Sequence, residues 1–572
     1  MDNNQDSYLE SRQGDDRAPD TANRQNAGQG LVEVNIGMTF SGGGYRAATF
    51  ALGALSFLNS IRLDDGRTLL ECVTVLSSVS GGSITALSYM LALSKKKPVD
   101  EMVADLFNFL CNEDLVTKAM QDMSAEKANP EASLIKIMAR IYDEELFDNA
   151  VIGDIIGDKK NFIHFPVKHF TALATDFDYS LPFRFRLIEG SENDGTPMRY
   201  CVFGNQRNTI GRSIAPHVTL GEVLACSSCF PSGFEPMMYP DDFKLSHNDK
   251  LAKGIKKRFG IMDGGLADNQ GIEPVLLSEN HMYKYRADKS RTDKALDLII
   301  VNDVTSPYMD GFRPSEQRLP TWAGKLTIGR LRNYGLISEL IVLLLFIVSV
   351  VLGSSYWMGV MSVVVAIVTL ANIVGALMKK KAFGAIAKTF VGDRAAFVSH
   401  LKFSTAEAML ANRAKSIIMM SSEVFLKRMR QMNYDTIYEN EEWRNRTITS
   451  TVYELRPGER WKSSVKNKTS WTTDLLIPSD AIQRNSSKAA GMGTTLWFTD
   501  KDKTDGIPSA LLADGQYTMC YNLLQYIEKI KNNSVNLTSA HGLIIALESQ
   551  LKAAWNKFQQ CPQWMVPKKM TK

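Results

Sequence analysis

The chain has little of what several common chemistries require. Seven cysteines are scattered through 572 residues, at 72, 111, 201, 226, 229, 520 and 561. An odd number with no pairing rhythm argues against a disulfide framework and fits a reducing compartment. Cys226-x-x-Cys229 has no second cysteine or histidine pair at ligand spacing, so two small apolar residues are a simpler reading than a metal or redox site, and no metal or cofactor is expected. The formal net charge of +4 gives no basic excess that by itself implies a nucleic-acid partner. Residues 1–30 are polar, with no apolar run of the kind a signal peptide needs, and read as disordered. No internal repeat stands out.

What is present centres on Val75-Leu76-Ser77-Ser78-Val79-Ser80-Gly81-Gly82-Ser83, followed by Ile84-Thr85-Ala86-Leu87. Apolar β-branched residues run into small ones and then into helix formers, which predicts strand, tight turn and helix. A serine at such a turn is pushed out of a strained backbone above a helix N-terminus. The frame is a G-x-S-x-G elbow with Ser78 in place of the first glycine, Ser80 as candidate nucleophile and Gly82 as the last glycine. An ordinary Ser/Gly loop competes with this reading.

A second strand-turn-helix unit lies upstream, where the alternating stretch Leu31-Val32-Glu33-Val34-Asn35-Ile36-Gly37-Met38-Thr39-Phe40 leads into Ser41-Gly42-Gly43-Gly44-Tyr45-Arg46 and a helical pattern. Consecutive glycines aim several N–H groups at one point, which suits an anion or a developing oxyanion. A P-loop requires Gly-Lys-Ser/Thr where this chain has Gly-Tyr-Arg, and the dinucleotide spacing G-x-G-x-x-G is not met. Farther on, Thr171–Asp178 reads as a core strand whose Asp176 holds a turn. In Gly260-Ile261-Met262-Asp263-Gly264-Gly265, an acid closes a strand; alone it is a solvated turn, and beside Ser80 it is the candidate base.

The ordered set FSGGGYRAA, SSVSGGS, ACSSCFPSGFEP and MDGGLADNQGIEP resembles the patatin-like phospholipases over roughly residues 31–300. The resemblance implies an α/β fold, a three-layer sandwich with a central, mostly parallel sheet, and a Ser-Asp dyad without histidine. It makes Ser80 the nucleophile, Asp263 the general base, and Gly42, Gly43 and Gly44 the oxyanion hole, with Arg46, Gly82 and Gly264 in support. A carboxylate beside a serine in a dry pocket has a raised pKa and can accept a proton near neutrality. A histidine triad drawing on His164, His169, His217, His247 or His281 is the minor alternative.

From Leu340 to Met378 no residue is charged, and only Gly353-Ser354-Ser355-Tyr356-Trp357 interrupts the apolar run. That is nearly twice a bilayer core at about 1.5 Å per residue. The expectation is a transmembrane helical hairpin over 336–378, with spans at Leu336–Gly353 and Trp357–Met378. Basic flanks at Arg330, Arg332 and Lys379-Lys380-Lys381 put both ends on the cytoplasmic side. A hairpin buried in the soluble fold or lying in the membrane plane is the competing reading.

The expected organisation is a disordered segment 1–30, a catalytic domain 31–330, the hairpin, and a region 382–572 that returns to complete a cytoplasmic catalytic fold. The stretch from about Glu101 to Ile152 is a candidate lid. The expected function is hydrolysis of phospholipid esters at a membrane through an acyl-enzyme, with membrane phospholipids as partners and no nucleic acid. A membrane scaffold or sensor, or an acyl hydrolase of non-phospholipid esters or thioesters, is the alternative. The resembled fold also serves membrane-attacking toxins and defence effectors, which leaves an activating signal or partner open.

Overall fold

A computed structural model of the chain describes residues 34–125, 133–157, 164–191, 197–231, 233–244, 257–284, 295–306, 311–314, 328–353, 355–378, 402–458, 476–532 and 539–567. Segment 1–30 therefore lies outside the described residues. The chain divides into two units, one formed by the residues before 309 together with those from Val424 onward, the other by Met309–Glu423.

The first unit is an α/β fold around one mixed sheet. Its strands are β1 (Ile36–Phe40), β2 (Val73–Val79), β3 (His169–Asp176), β4 (Leu181–Ser191), β5 (Pro197–Gly204), β6 (Thr209–Ile210), β7 (Met237–Tyr239), β8 (Phe259–Asp263), β9 (Leu298–Asp303) and β10 (Thr447–Thr451). They run in the order β10-β9-β1-β2-β3-β4-β5-β6, with β8 beside β3 and β7 beside β8. From β10 to β3 every pairing is parallel. From β3 onward, through β4, β5, β6, β8 and β7, every pairing is antiparallel. The expected mostly parallel sheet is thus half antiparallel. The cause is local: a four-residue turn at 177–180 joins β3 to β4, and so short a connection permits only an antiparallel partner.

Helices cover both faces. Along β9, Leu298 and Ile300 enter the larger apolar cluster while Ile299 and Val301 enter the smaller one, as the two-residue period of a strand requires. The larger cluster holds helices α1 (Gly44–Ser60), α2 (Gly81–Ser94), α3 (Leu220–Ser228) and the long α6 (Ile507–Asn532). The smaller one lies under α4 (Ile272–Lys284) and α5 (Leu426–Glu439). Helices α1 and α6 touch backbone to backbone: a Cβ on Gly53 would stand 2.1 Å from the Leu512 carbonyl oxygen, and one on Gly515 equally close to that of Phe50. Residues beyond 424 thus supply both an edge strand and a central helix. The region considered as a lid is packed, since helix Val99–Asn112 buries Met102, Val103, Leu106, Phe107 and Leu110, and helix Leu134–Glu145 buries Ile135, Met138 and Tyr142.

In the second unit two helices, Ile328–Val351 and Ser355–Met378, follow one another across a turn at Leu352-Gly353. Thr369 Oγ1 donates to Glu339 Oε1 between them at 3.3 Å. Their side chains are described at 334, 337–353 and 356–370. Among the described residues no helix is long and apolar enough to cross a membrane.

Candidate active site

Strand β2 leads directly into Ser80, which has φ +50° and ψ −123°, and helix α2 begins at the next residue. A non-glycine residue in that conformation costs roughly 1–3 kcal/mol and persists only where its surroundings fix it. They do so here. The Ser80 N–H donates to Ser227 Oγ at 2.9 Å, and the Ser80 carbonyl accepts from Ser83 N–H at 2.8 Å. Ser227 Oγ donates in turn to the Leu173 carbonyl at 2.7 Å. Ser78, standing where the elbow frame has glycine, accepts from Ser83 Oγ at 3.0 Å, so its hydroxyl is absorbed into the same network. Gly82 is required by contact: a Cβ there would lie 2.6 Å from the Phe40 carbonyl oxygen and 2.7 Å from that of Ser41.

Asp263 reaches this serine through β3. On that strand Leu173 pairs with Val79, the residue before Ser80, and the next residue, Ala174, pairs with Asp263 at the end of β8. Asp263 Oδ1 accepts from Gly265 N–H at 2.7 Å. Oδ2 is buried. Burial pushes the Asp263 carboxyl up to about 6, against the Gly265 N–H and the Ser80 hydroxyl, which favour its charged form. Gly264 lets β8 end there, because a Cβ on it would stand 2.2 Å from the Leu173 carbonyl oxygen.

The glycine turn lies against the serine, since a Cβ on Gly42 would be 3.3 Å from Ser80 Cβ. One expectation changes here. The Gly42 N–H already donates to the Asn269 carbonyl at 2.9 Å, which withdraws it from the three expected oxyanion donors. Gly43 (φ +141°) and Gly44 (φ +59°) show no acceptor for their N–H groups among the described residues. The same holds for Gly81, the first residue of α2, whose backbone lies against Gly44. Arg46 is buried and points away from the serine: Nη1 donates to the Met492 carbonyl at 2.8 Å and to the Tyr453 hydroxyl at 3.0 Å. Tyr45 N–H donates to the Thr495 carbonyl at 2.8 Å, so residues near 495 clamp the turn.

The assembled groups are a strained serine at a helix N-terminus, a buried carboxylate beside it and unengaged N–H groups on a glycine turn. Residues 38–276 match the family model of patatin-like phospholipases. The match spans the elbow, the glycine turn and the Asp263 strand. No curated protein matches the chain. Among solved structures, the chain is similar to human GIVD cytosolic phospholipase A2, at 14% identity over 47% of this chain and 43% of that one, with a TM-score of 0.29. It is also similar to that enzyme in complex with methyl gamma-linolenyl fluorophosphonate, at 16% identity over 47% and 40%, with a TM-score of 0.27. The chain therefore spans less than half the length of either.

Other groups in the matched stretch make structural contacts. Asp176 holds the β3–β4 turn, with Oδ1 accepting from the N–H groups of Asp178 (3.0 Å) and Tyr179 (3.3 Å) and Oδ2 from Asn205 and Asn208 (2.9 and 2.8 Å). Cys226 and Cys229 are buried free thiols, and Cys229 Sγ donates to the Cys226 and Ile261 carbonyls. His169 sits at the far end of β3 against His281, and burial lowers it to about 3. Among the described residues no group of His, Cys, Asp or Glu is placed to hold a metal ion.

Sequence reading overlooked Ser227, Asn269 and Gly81. Ser227 lies inside the ACSSCF stretch, where no local pattern marks a serine that accepts from the Ser80 N–H. Gly81 follows the serine at a helix start, the position from which an elbow supplies an oxyanion donor.

Proposed function

We propose that this protein is a membrane-associated lipid acyl hydrolase that cleaves phospholipid esters with a Ser80–Asp263 dyad. The observation that carries the reading is the β3 register, which sets Val79–Ser80 and Asp263 on adjacent positions of one strand, with the serine strained and the carboxylate buried.

In the proposed mechanism Asp263 takes the Ser80 hydroxyl proton as Oγ attacks the ester carbonyl carbon. The N–H groups of Gly43 and Gly44, joined by Gly81, stabilise the tetrahedral oxyanion. The carbonyl re-forms, the C–O bond to the leaving alcohol breaks, and that alcohol takes the proton from Asp263. Water, deprotonated by Asp263, then attacks the acyl-enzyme, releasing a fatty acid and restoring the Ser80 hydroxyl. An acid with a pKa near 6 suits both transfers at neutral pH.

Membrane association is proposed through the helix pair 328–378. Its described apolar side chains face outward, among them Leu340 (60% exposed), Val351 (79%) and Leu370 (62%). An outward apolar surface of this kind suits lipid. The uncharged run Leu340–Met378 with basic flanks favours an inserted hairpin whose ends share one side with the catalytic unit.

Fatty-acid release from mixed phospholipid vesicles, by wild type beside Ser80→Ala, tests the reading. Release by wild type that the substitution abolishes is expected. Release that survives Ser80→Ala overturns the mechanism, and a silent wild type favours the scaffold alternative.

A further inference from the structure

Helix α5 lies outside the patatin-like match, yet its side chains bond to the segment after Asp263 and to the end of β9, whose neighbouring residues contact the glycine turn. Arg430 Nε donates to Asp303 Oδ2 at 2.7 Å and the Tyr434 hydroxyl donates to the same oxygen at 2.9 Å. Asn433 Nδ2 donates to Asp268 Oδ1 at 2.8 Å. The two acids are fully or almost fully buried, and Arg430 keeps only 13% of its side chain exposed.

Asp268 closes the one-turn helix Gly265–Asp268, whose Gly265 N–H is the donor to Asp263. Its carboxylate also accepts from the N–H groups of Gln270, Gly271 and Glu273, fixing the exit into α4. The next residue, Asn269, takes the Gly42 N–H on its carbonyl and donates Nδ2 to Thr305 Oγ1 at 2.8 Å. Asp303 holds the other side: it accepts from Thr305 N–H at 2.8 Å, while its neighbours bond Ser41, Asn302 carbonyl to Ser41 N–H and Val304 N–H to Ser41 Oγ. The base loop and the glycine turn are therefore joined through Asn269 and Thr305, and α5 bonds to both sides of that junction.

We infer that α5 is the positioning element of the site, with Arg430, Asn433 and Tyr434 as positioning residues that hold Asp263 and the glycine turn in register with Ser80. They act through Asp268 and Asp303 and touch no reacting atom. In sequence, residues 309–423 lie between Asp303 and α5, and the Arg430–Asp303 ion pair joins the two flanking segments.

The inference rests on the Ser80–Asp263 reading, and its test separates the two. Full-length wild type, Ser80→Ala, Asn433→Ala, Arg430→Gln, Arg430→Lys and Tyr434→Phe are compared on a short-chain soluble ester, with the melting temperature of each recorded. Loss of positioning lowers kcat about tenfold to a hundredfold with KM and melting temperature little changed, since a small misplacement of reacting groups costs that much. Arg430→Lys, which keeps a cation for Asp303, recovers part of the activity lost in Arg430→Gln. Wild-type kcat in Asn433→Ala and Arg430→Gln overturns the inference, as does a loss that follows melting temperature alone. Activity in Ser80→Ala overturns the dyad reading instead, whatever the α5 variants do.

Discussion

Asp263 and Ser80 share no strand, turn or helix, yet β3 brings the ends of their strands together. The two are delivered to one place because Leu173 and Ala174, consecutive on β3, pair with Val79 and with Asp263. Where β2 leaves the sheet at the elbow, β8 arrives antiparallel to take its place beside β3.

This arrangement sets a pH dependence. In the proposed mechanism the base acts only when ionised, and burial raises Asp263 to about 6. At pH 8 it is ionised and active; as pH falls through about 6 it takes up a proton, and kcat/KM declines about tenfold per unit below that. A pH profile on a soluble ester checks this, and a flat profile down to pH 4.5 contradicts it.

Close backbone approach sets a second expectation. A Cβ on Gly264 would overlap the Leu173 carbonyl oxygen at 2.2 Å, and both partners are main chain. Gly264→Ala is predicted to destabilise the fold by about 1–3 kcal/mol or more and to abolish hydrolysis. Gly542→Ala is the control, because nothing lies within 4 Å of its added Cβ and its helix gains propensity. Thermal melts of the two variants should move in opposite directions.

How much of this was legible in the residues depends on range. The elbow, the glycine turn and the Asp263 strand end each declare themselves within about ten residues, through an apolar run that breaks into Gly and Ser. The β3 register does not, because pairing partners so distant in sequence leave no local pattern. The engaged Gly42 N–H was hidden for the same reason: its acceptor is Asn269. The antiparallel β3–β4 pairing follows from the four-residue turn at 177–180. The ties of Arg46 to Met492 and Tyr453 depend on a C-terminal region whose composition gives no hint of them.

A buried acid away from the site contributes to the pH dependence of stability. Asp514 on α6 is buried, with Ser486 Oγ donating to its Oδ1 at 2.8 Å. Burial raises it to about 8, while the Tyr517 and Ser486 hydroxyls oppose the shift and the charge of Glu454 adds to it. An unfolded aspartate ionises near 4. Its contribution to stability is therefore full below about pH 4 and is lost as pH rises through about 8. Asp514→Asn should remove that loss, and denaturant unfolding at pH 6 and pH 9 should show the variant gaining on wild type at the higher pH. A variant that loses equally at both contradicts the assignment.

The helix pair gives a further prediction. The Ser80→Ala protein, unable to consume lipid, should co-float with phospholipid vesicles, and deletion of 328–378 should abolish flotation. Flotation unchanged by the deletion would place the lipid contact elsewhere. Carbonate extraction then separates an inserted pair, which resists it, from one lying on the surface.

The central claim is that Asp263 activates Ser80, and the rate of covalent labelling by a fluorophosphonate tests it most directly, because it reads the nucleophile without needing the natural substrate. Labelling of wild type at Ser80, none in Ser80→Ala, and labelling slowed by orders of magnitude in a folded Asp263→Asn is the predicted result. Labelling at another residue, or an Asp263→Asn variant that reacts at the wild-type rate, would contradict the account.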